Sequence, residues 1–375
     1  MILDNNWLAF LALLRAGLWE SEVQLEPYGV VDFSDVYGIS EAQSVVGLVA
    51  AGIEQVEDVK VPQEYALQFV GYTLQIEQRN RAMNEFVGRL IEKLQREDVY
   101  SLLVKGQGVA QCYVRPLWRS SGDVDLLLSE DNYKKAKAVL ASLASSVERE
   151  NRYTKHLGMI IDNWEVELHG NLRSCISRKV DRGLDEIADS VFYGGNVRSW
   201  MNGRTRVFLM GADCDVFYVF THILQHFFQG GIGLRQVCDW CRLLNRYHQE
   251  LDLRLLETRL RKAGIMTEWK TFAALAVDIL GMQSEMMPLY DSSEKWHKKA
   301  DRVLSCIVES GNFGHNIDNT YRGKYKGIRK RAISVFRYTR EALQHFMIFP
   351  SNTVSVWLNT MKSGLRAMRI KTDKI

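Results

Sequence analysis

A change of period along the chain constrains its fold more than any other feature. Residues 65–95 (YALQFVGYTLQIEQRNRAMNEFVGRLIEKLQ) repeat apolar side chains at helical spacing. Past Asp98 the texture shortens. Residues 100–104 (YSLLV), 124–128, 157–161 and 164–168 are brief apolar or alternating runs, separated by turn residues and by one helix, 131–145, with Glu130 and Asp131 at its start. A last strand is expected at 206–210 (RVFLM), before Gly211. From there the pattern is helical to the end, with Gly230 and Gly231 separating one helix from the next. Helices, a strand-rich centre and helices again predict an α+β fold: a small mixed sheet between two helical regions. The expected division is 1–98, 99–211 and 212–375.

Composition narrows the class. Apolar residues make up 46% and charged residues 25% of the 375, ordinary for a globular protein. A disordered, collagen-like or multispanning chain is thereby excluded. The net charge of +3 conceals an asymmetry. From Arg322 onward thirteen Lys or Arg face two acids, Glu341 and Asp373, a local +11 that leaves −8 for the rest. An acidic partner, a membrane surface, or the acidic body of the protein itself could take this basic tail. Six scattered cysteines do not make a disulfide scaffold; reduced thiols and a cytoplasmic setting are expected. Residues 7–19 (WLAFLALLRAGLW) lack a basic leader and are interrupted by Arg15. They read as a buried or half-buried helix.

The chemistry concentrates in 105–128, KGQGVAQCYVRPLWRSSGDVDLLL. Asp123 and Asp125 lie two apart where a strand begins, on one face and about 6.6–6.8 Å apart along it. Two such carboxylates can converge on a divalent cation, and oxygens are the donors Mg²⁺ prefers. Gly106 and Gly108 follow a strand and open a helix, which lets backbone N–H groups approach phosphate. The run WEVELH puts Glu165, Glu167 and His169 on one strand face, supplying a third carboxylate. Arg119, four residues before Asp123, has the fork geometry that suits phosphate.

Together these pieces resemble the polymerase-β-like nucleotidyltransferase superfamily, and more narrowly an uncharacterised bacterial nucleotidyltransferase family, through KGQGVAQ, RSSGDVDLLL, VELH and the later GIGLRQVCDW. The resemblance spans about residues 100–245. It implies a transfer of a nucleoside monophosphate, with ATP the expected donor, to a hydroxyl-bearing acceptor with release of pyrophosphate. It further implies Mg²⁺, two ions, held by Asp123, Asp125 and Glu167. Glu167 is preferred to Glu165 because it stands directly before Leu-His; it would also help deprotonate the acceptor. Lys105, Gly106, Gln107, Arg119 and Arg235 would bind the nucleotide. Gln107 stands where the superfamily has Gly or Ser, and the 17-residue step from Gly106 to Asp123 implies a loop over the site. The acceptor (small molecule, glycan, peptide or RNA) is not legible. Two other readings remain: a catalytically silent protein that binds a nucleotide or a partner, and a toxin-like enzyme acting on RNA or protein.

Other constellations carry less. His222 and His226 share a helix face but lack further zinc ligands; the resemblance implies that their helix packs beside the site, with one His within reach of the nucleotide or acceptor. Cys238 and Cys241 form a lone pair best read as helix packing. Arg235 and Asp239 predict either an intrahelical ion pair or a phosphate-facing arginine. Lys155 and His156, just before the acidic hairpin, could reach phosphate or lie exposed.

Overall fold

The computed structural model describes residues 3–151, 153–314, 316 and 327–372. Four helices come first: α1 (Asn5–Trp19), α2 (Phe33–Ala42), α3 (Val46–Ile53) and α4 (Gln63–Arg96). Asp4 caps α1 by accepting from the Trp7 N–H. Helices α1 and α3 cross at backbone contact. A Cβ on Gly17 would lie 1.8 Å from the Leu48 carbonyl oxygen, and one on Gly52 would lie 2.0 Å from that of Leu13.

The centre follows as β1 (Leu102–Val104), α5 (Gly106–Ala110), β2 (Val124–Leu127), α6 (Glu130–Ala141), β3 (Ser146–Val147), β4 (His156–Ile161), β5 (Trp164–His169), α7 (Arg178–Phe192), β6 (Val197–Asn202) and β7 (Thr205–Met210). Its seven strands form one mixed sheet in the order β3-β4-β5-β2-β1-β7-β6. Strand β2 is antiparallel to β1 and parallel to β5, while β4–β5 and β6–β7 are antiparallel hairpins. The α+β expectation holds, with two additions: β3 and β6 were not foreseen. Both are edge strands, β3 wholly exposed and β6 only half-buried, so neither carries the apolar run that marks an interior strand.

The alternation of the strands divides two cores. On one side Val124, Leu126, Val166, Leu168, Leu157 and Met159 pack with Phe86, Leu90 and Leu94 of α4 and with Ala136 and Leu140 of α6. On the other, Leu102, Val104, Leu127 and Met210 join a larger core. It is built from α1–α3 and from α8 (Ala212–Gln229), α9 (Leu234–Tyr247), α10 (Leu253–Ala263), α11 (Met266–Asp278) and α12 (Glu294–Ser310). Helices at Gly327–Phe346 and Pro350–Thr372 follow, and Ile348, Phe349 and Val356 are buried in this larger core. Part of the basic tail, residues 322–326 and 373–375 with Tyr321 and Tyr325, lies outside the described residues. Among the described residues no helix is long and apolar enough to cross a membrane.

Candidate active site

Strand register brings the acids together. Asp125 sits directly beside Glu167 in the parallel β2–β5 ladder. Their neighbours Val124, Leu126, Val166 and Leu168 fill the core under the sheet, so period-two alternation turns Asp123, Asp125 and Glu167 to the opposite face. One oxygen from each of the three lies within 4.8 Å of the others. Glu165, paired with Ile160, is exposed and outside this cluster.

The charge of the cluster is met by basic groups from neighbouring strands. Lys105 follows β1 at φ 58°, and Gly106 follows at φ 39°. This sharp reversal returns the Lys105 Nζ to 2.8 Å from Asp125 Oδ1. A side chain held at such a φ costs on the order of 1–3 kcal/mol, strain of the kind found at functional sites. From β5, His169 Nε2 donates to Asp125 Oδ1 at 2.8 Å and lies 3.3 Å from Glu167 Oε2. From β4, His156 is the cross-strand partner of His169, and its Nε2 is 3.0 Å from Glu167 Oε2. Burial alone would raise Glu167, but hydrogen bonds from His156 and His169 outweigh it and hold the carboxyl well below the usual range. Asp123 is pushed up, first by the Asp125 charge and then by burial. Burial would lower Lys105, yet Asp125 more than compensates and its ammonium is held above the ordinary value.

A cleft of about 150 Å³ opens beside the acids, lined also by Lys105, Gly106, Arg119, Arg235 and residues of α8 and α9. Helix α8 contributes His222 and His226, four apart and 3.1 Å between their Nε2 atoms. Burial keeps both neutral, His226 falling to about 4. Helix α9 contributes Arg235. Its Nη1 donates to the Ser120 carbonyl at 3.2 Å, and its buried Nε has no hydrogen-bond partner among the described residues. Burial, then the neighbouring Arg119, lower its pKa.

Two expectations need revision. The Arg119 fork is already taken: Nε and Nη2 each donate to an Asp239 oxygen at 2.7 Å, and Nη1 donates to the Ser120 carbonyl at 3.2 Å. The physical reason is burial, since a guanidinium only 4% exposed requires a carboxylate partner. Asp239 therefore does not form the intrahelical pair with Arg235; it accepts from Tyr113 OH as well, at 2.7 Å. The Gln107 side chain is likewise turned from the acids and donates to Asn80 Oδ1 at 3.0 Å. Asn80 in turn donates to the carbonyls of Leu117 and Arg119, at 2.7 and 2.8 Å. The long step from Gly106 to Asp123 is thus stitched to α4, and to α3 at Gly47, where a Cβ would lie 2.1 Å from the Trp118 oxygen. Its two ends, Gly106 and Val109 on one side and Arg119 and Gly122 on the other, line the cleft.

His156 and His169 are the site residues that sequence reasoning undervalued. Their placement was readable in part: His169 is two residues from Glu167, hence on its face, but the antiparallel pairing that sets His156 opposite it needs the fold. Cys238 and Cys241 are buried, free thiols of the α9 core.

No curated protein and no solved structure is measurably similar to this chain. The sequence profile of a family described as uncharacterised nucleotidyltransferase does match it, over residues 30–281. That span holds the four strands bearing the acids and their bases, and both helices that close the cleft. The chain belongs to this nucleotidyltransferase family.

Proposed function

We propose that the protein transfers a nucleoside monophosphate, with ATP the expected donor, to a hydroxyl-bearing acceptor and releases pyrophosphate. The observation that carries this reading is the convergence of Asp123, Asp125 and Glu167 within 4.8 Å at one cleft. Three carboxylates in such reach suit a hard divalent cation, so they are the residues that would hold Mg²⁺, one ion or two. Bound there, the metal would supply charge stabilisation to the phosphoryl oxygens.

The chain's own residues have separable tasks. Lys105, now on Asp125, stands ready to neutralise a phosphate oxygen once a cation relieves it. Arg235 offers beside the acids a buried Nε that has no partner among the described residues, the kind of donor an anion would satisfy. Arg119 acts through Asp239, fixing the strand entry that presents Asp123. Gly106 takes the positive φ of 39° that this reversal requires and that side chains rarely adopt. Glu167, hydrogen-bonded by two imidazoles, is better suited to hold a cation than to take a proton. The cleft is smaller than the roughly 300–1,000 Å³ of pockets that enclose whole ligands. It fits the triphosphate, with the nucleoside reaching outward and the acceptor meeting the helical faces. The regions 1–98, 99–211 and 212–375 then act as support, reaction centre and acceptor-facing cover. Gln107 no longer favours a silent protein, because its side chain serves the α4 contact.

The test is incubation with each labelled nucleoside triphosphate, Mg²⁺ and a host extract. Label from the α-phosphate should pass to an acceptor, and Asp125→Asn should abolish the transfer. Equal triphosphate binding with and without metal, and no transferred label, would replace the transferase by a phosphate-binding protein.

A further inference from the structure

Glu167 belongs to two ligand sets at once. Toward β2 it faces carboxylates; toward β4 it faces imidazoles. His156 Nε2 and His169 Nε2 approach the same oxygen, Glu167 Oε2, at 3.0 and 3.3 Å, and one ligand atom from each of the three residues lies within 4.8 Å of the others. In a tetrahedral zinc site with bonds of about 2.0–2.1 Å, ligand atoms are about 3.3 Å apart. The two observed spacings, those of imidazole–carboxylate hydrogen bonds, also match the separation of ligands around one ion. Strand pairing fixes the set: His156 and His169 are opposed residues of the β4–β5 hairpin, and Glu167 is two residues from His169. The His156 side chain is 30% exposed, leaving a way in for an ion and a free coordination position. Two imidazoles and a carboxylate with one open position form a donor set typical of catalytic zinc. Imidazole suits Zn²⁺, whereas an all-oxygen set suits Mg²⁺ or Mn²⁺.

We propose that β4 and β5 carry a second cation position, His156–Glu167–His169, which takes a transition-metal ion and shares Glu167 with the oxygen-lined position of Asp123 and Asp125. The centre is then asymmetric, one position read by oxygen and the other by nitrogen. This rests on the reading of Asp123, Asp125 and Glu167 as a cation site, but its test is separate. His169 also contacts Asp125, where Lys105 already sits, so the nitrogen position fills most readily when Asp125 is occupied by Lys105 or a cation rather than by His169.

The full-length protein is loaded with Mn²⁺ alone and studied by electron spin echo envelope modulation, which detects nitrogen bound to manganese. Coupling to ¹⁴N is expected, lost in the His156→Gln/His169→Gln double variant and retained in Asp123→Asn. Zn²⁺ should compete with this manganese, and either single Gln variant should weaken Zn²⁺ at least about tenfold. Manganese bound without ¹⁴N coupling, together with Zn²⁺ affinity unchanged in both single Gln variants, would overturn the inference and leave the oxygen-lined position standing. No bound manganese in any variant would overturn both. Circular dichroism of the double variant guards against misfolding; if it fails to fold, unchanged Zn²⁺ affinity in both folded single variants, His156→Gln and His169→Gln, would equally overturn the assignment.

Discussion

Asp125 is almost fully buried, yet it accepts from both Lys105 and His169 at 2.8 Å. Asp125→Asn should therefore act twice. Turnover should drop at least roughly a hundredfold, equivalent to about 2.7 kcal/mol of barrier. Folding stability should fall by about 1–3 kcal/mol, because Lys105 loses its anionic partner. A double-mutant cycle with Lys105→Met, read by urea unfolding, should return a coupling energy in that range; simple additivity would mean the pair is not formed in solution. Arg119 should behave differently. Lysine cannot reproduce the fork on Asp239, so Arg119→Lys is expected to lower stability by about 1–3 kcal/mol and to lower turnover as a consequence. A loss of turnover with unchanged unfolding would return Arg119 to direct phosphate binding. At this scale the acids were legible because strand alternation fixes their face from spacing alone. The partner of Arg119 was not, since Asp239 is 120 residues away and spacing cannot say which of many acids a buried cation meets.

Whole elements meet through contacts that local pattern does not reveal. The α1–α3 crossing tolerates no side chain at Gly17 or Gly52, and Gly52→Ala should separate the helices at a cost of about 1–3 kcal/mol in unfolding free energy. A variant as stable as the parent would mean the helices cross farther apart. The helix Gly327–Phe346 docks by laying the His345 ring 4.5 Å from that of Phe227 on α8. Burial lowers the His345 pKa from 6.5 to about 4, so the unfolded chain takes up its proton first. The stability gained by keeping this ring neutral is complete above about pH 6.5 and is lost as pH falls toward 4. At pH 5 the loss is about 2 kcal/mol from this residue, to which His222 and His226 add in the same direction. Denaturant titrations at pH 7 and pH 5 should show a smaller difference for His345→Leu than for the parent. The helical spacing of α4 and the acidic hairpin were plain in the sequence; the edge strands β3 and β6 were not, since a strand with one free edge needs no continuous apolar run.

Across the molecule, the last two helices are structural despite their positive charge. Phe349 is 1% exposed, between the rings of Phe227 and Phe272, and Asn352 donates to the buried Glu268 carboxylate at 2.7 Å. Ending the chain after residue 326 should uncover these rings and yield a protein that aggregates or melts markedly lower, seen by light scattering with calorimetry. Unchanged melting would make the segment an appendage. The basic composition suggested a tail; that its apolar residues complete a core depends on distant phenylalanines and could not be read locally. The mixed sheet has a consequence of another kind. The clustered acidic side chains stand on adjacent strands whose alternate residues fill the hydrophobic interior. A slip of β2 or β5 by one residue would exchange Asp125 for Leu126, or Glu167 for Leu168, and bury charge while exposing leucine. Catalytic competence and correct strand pairing are thus the same event, and bound metal would report, chain by chain, which molecules have finished folding.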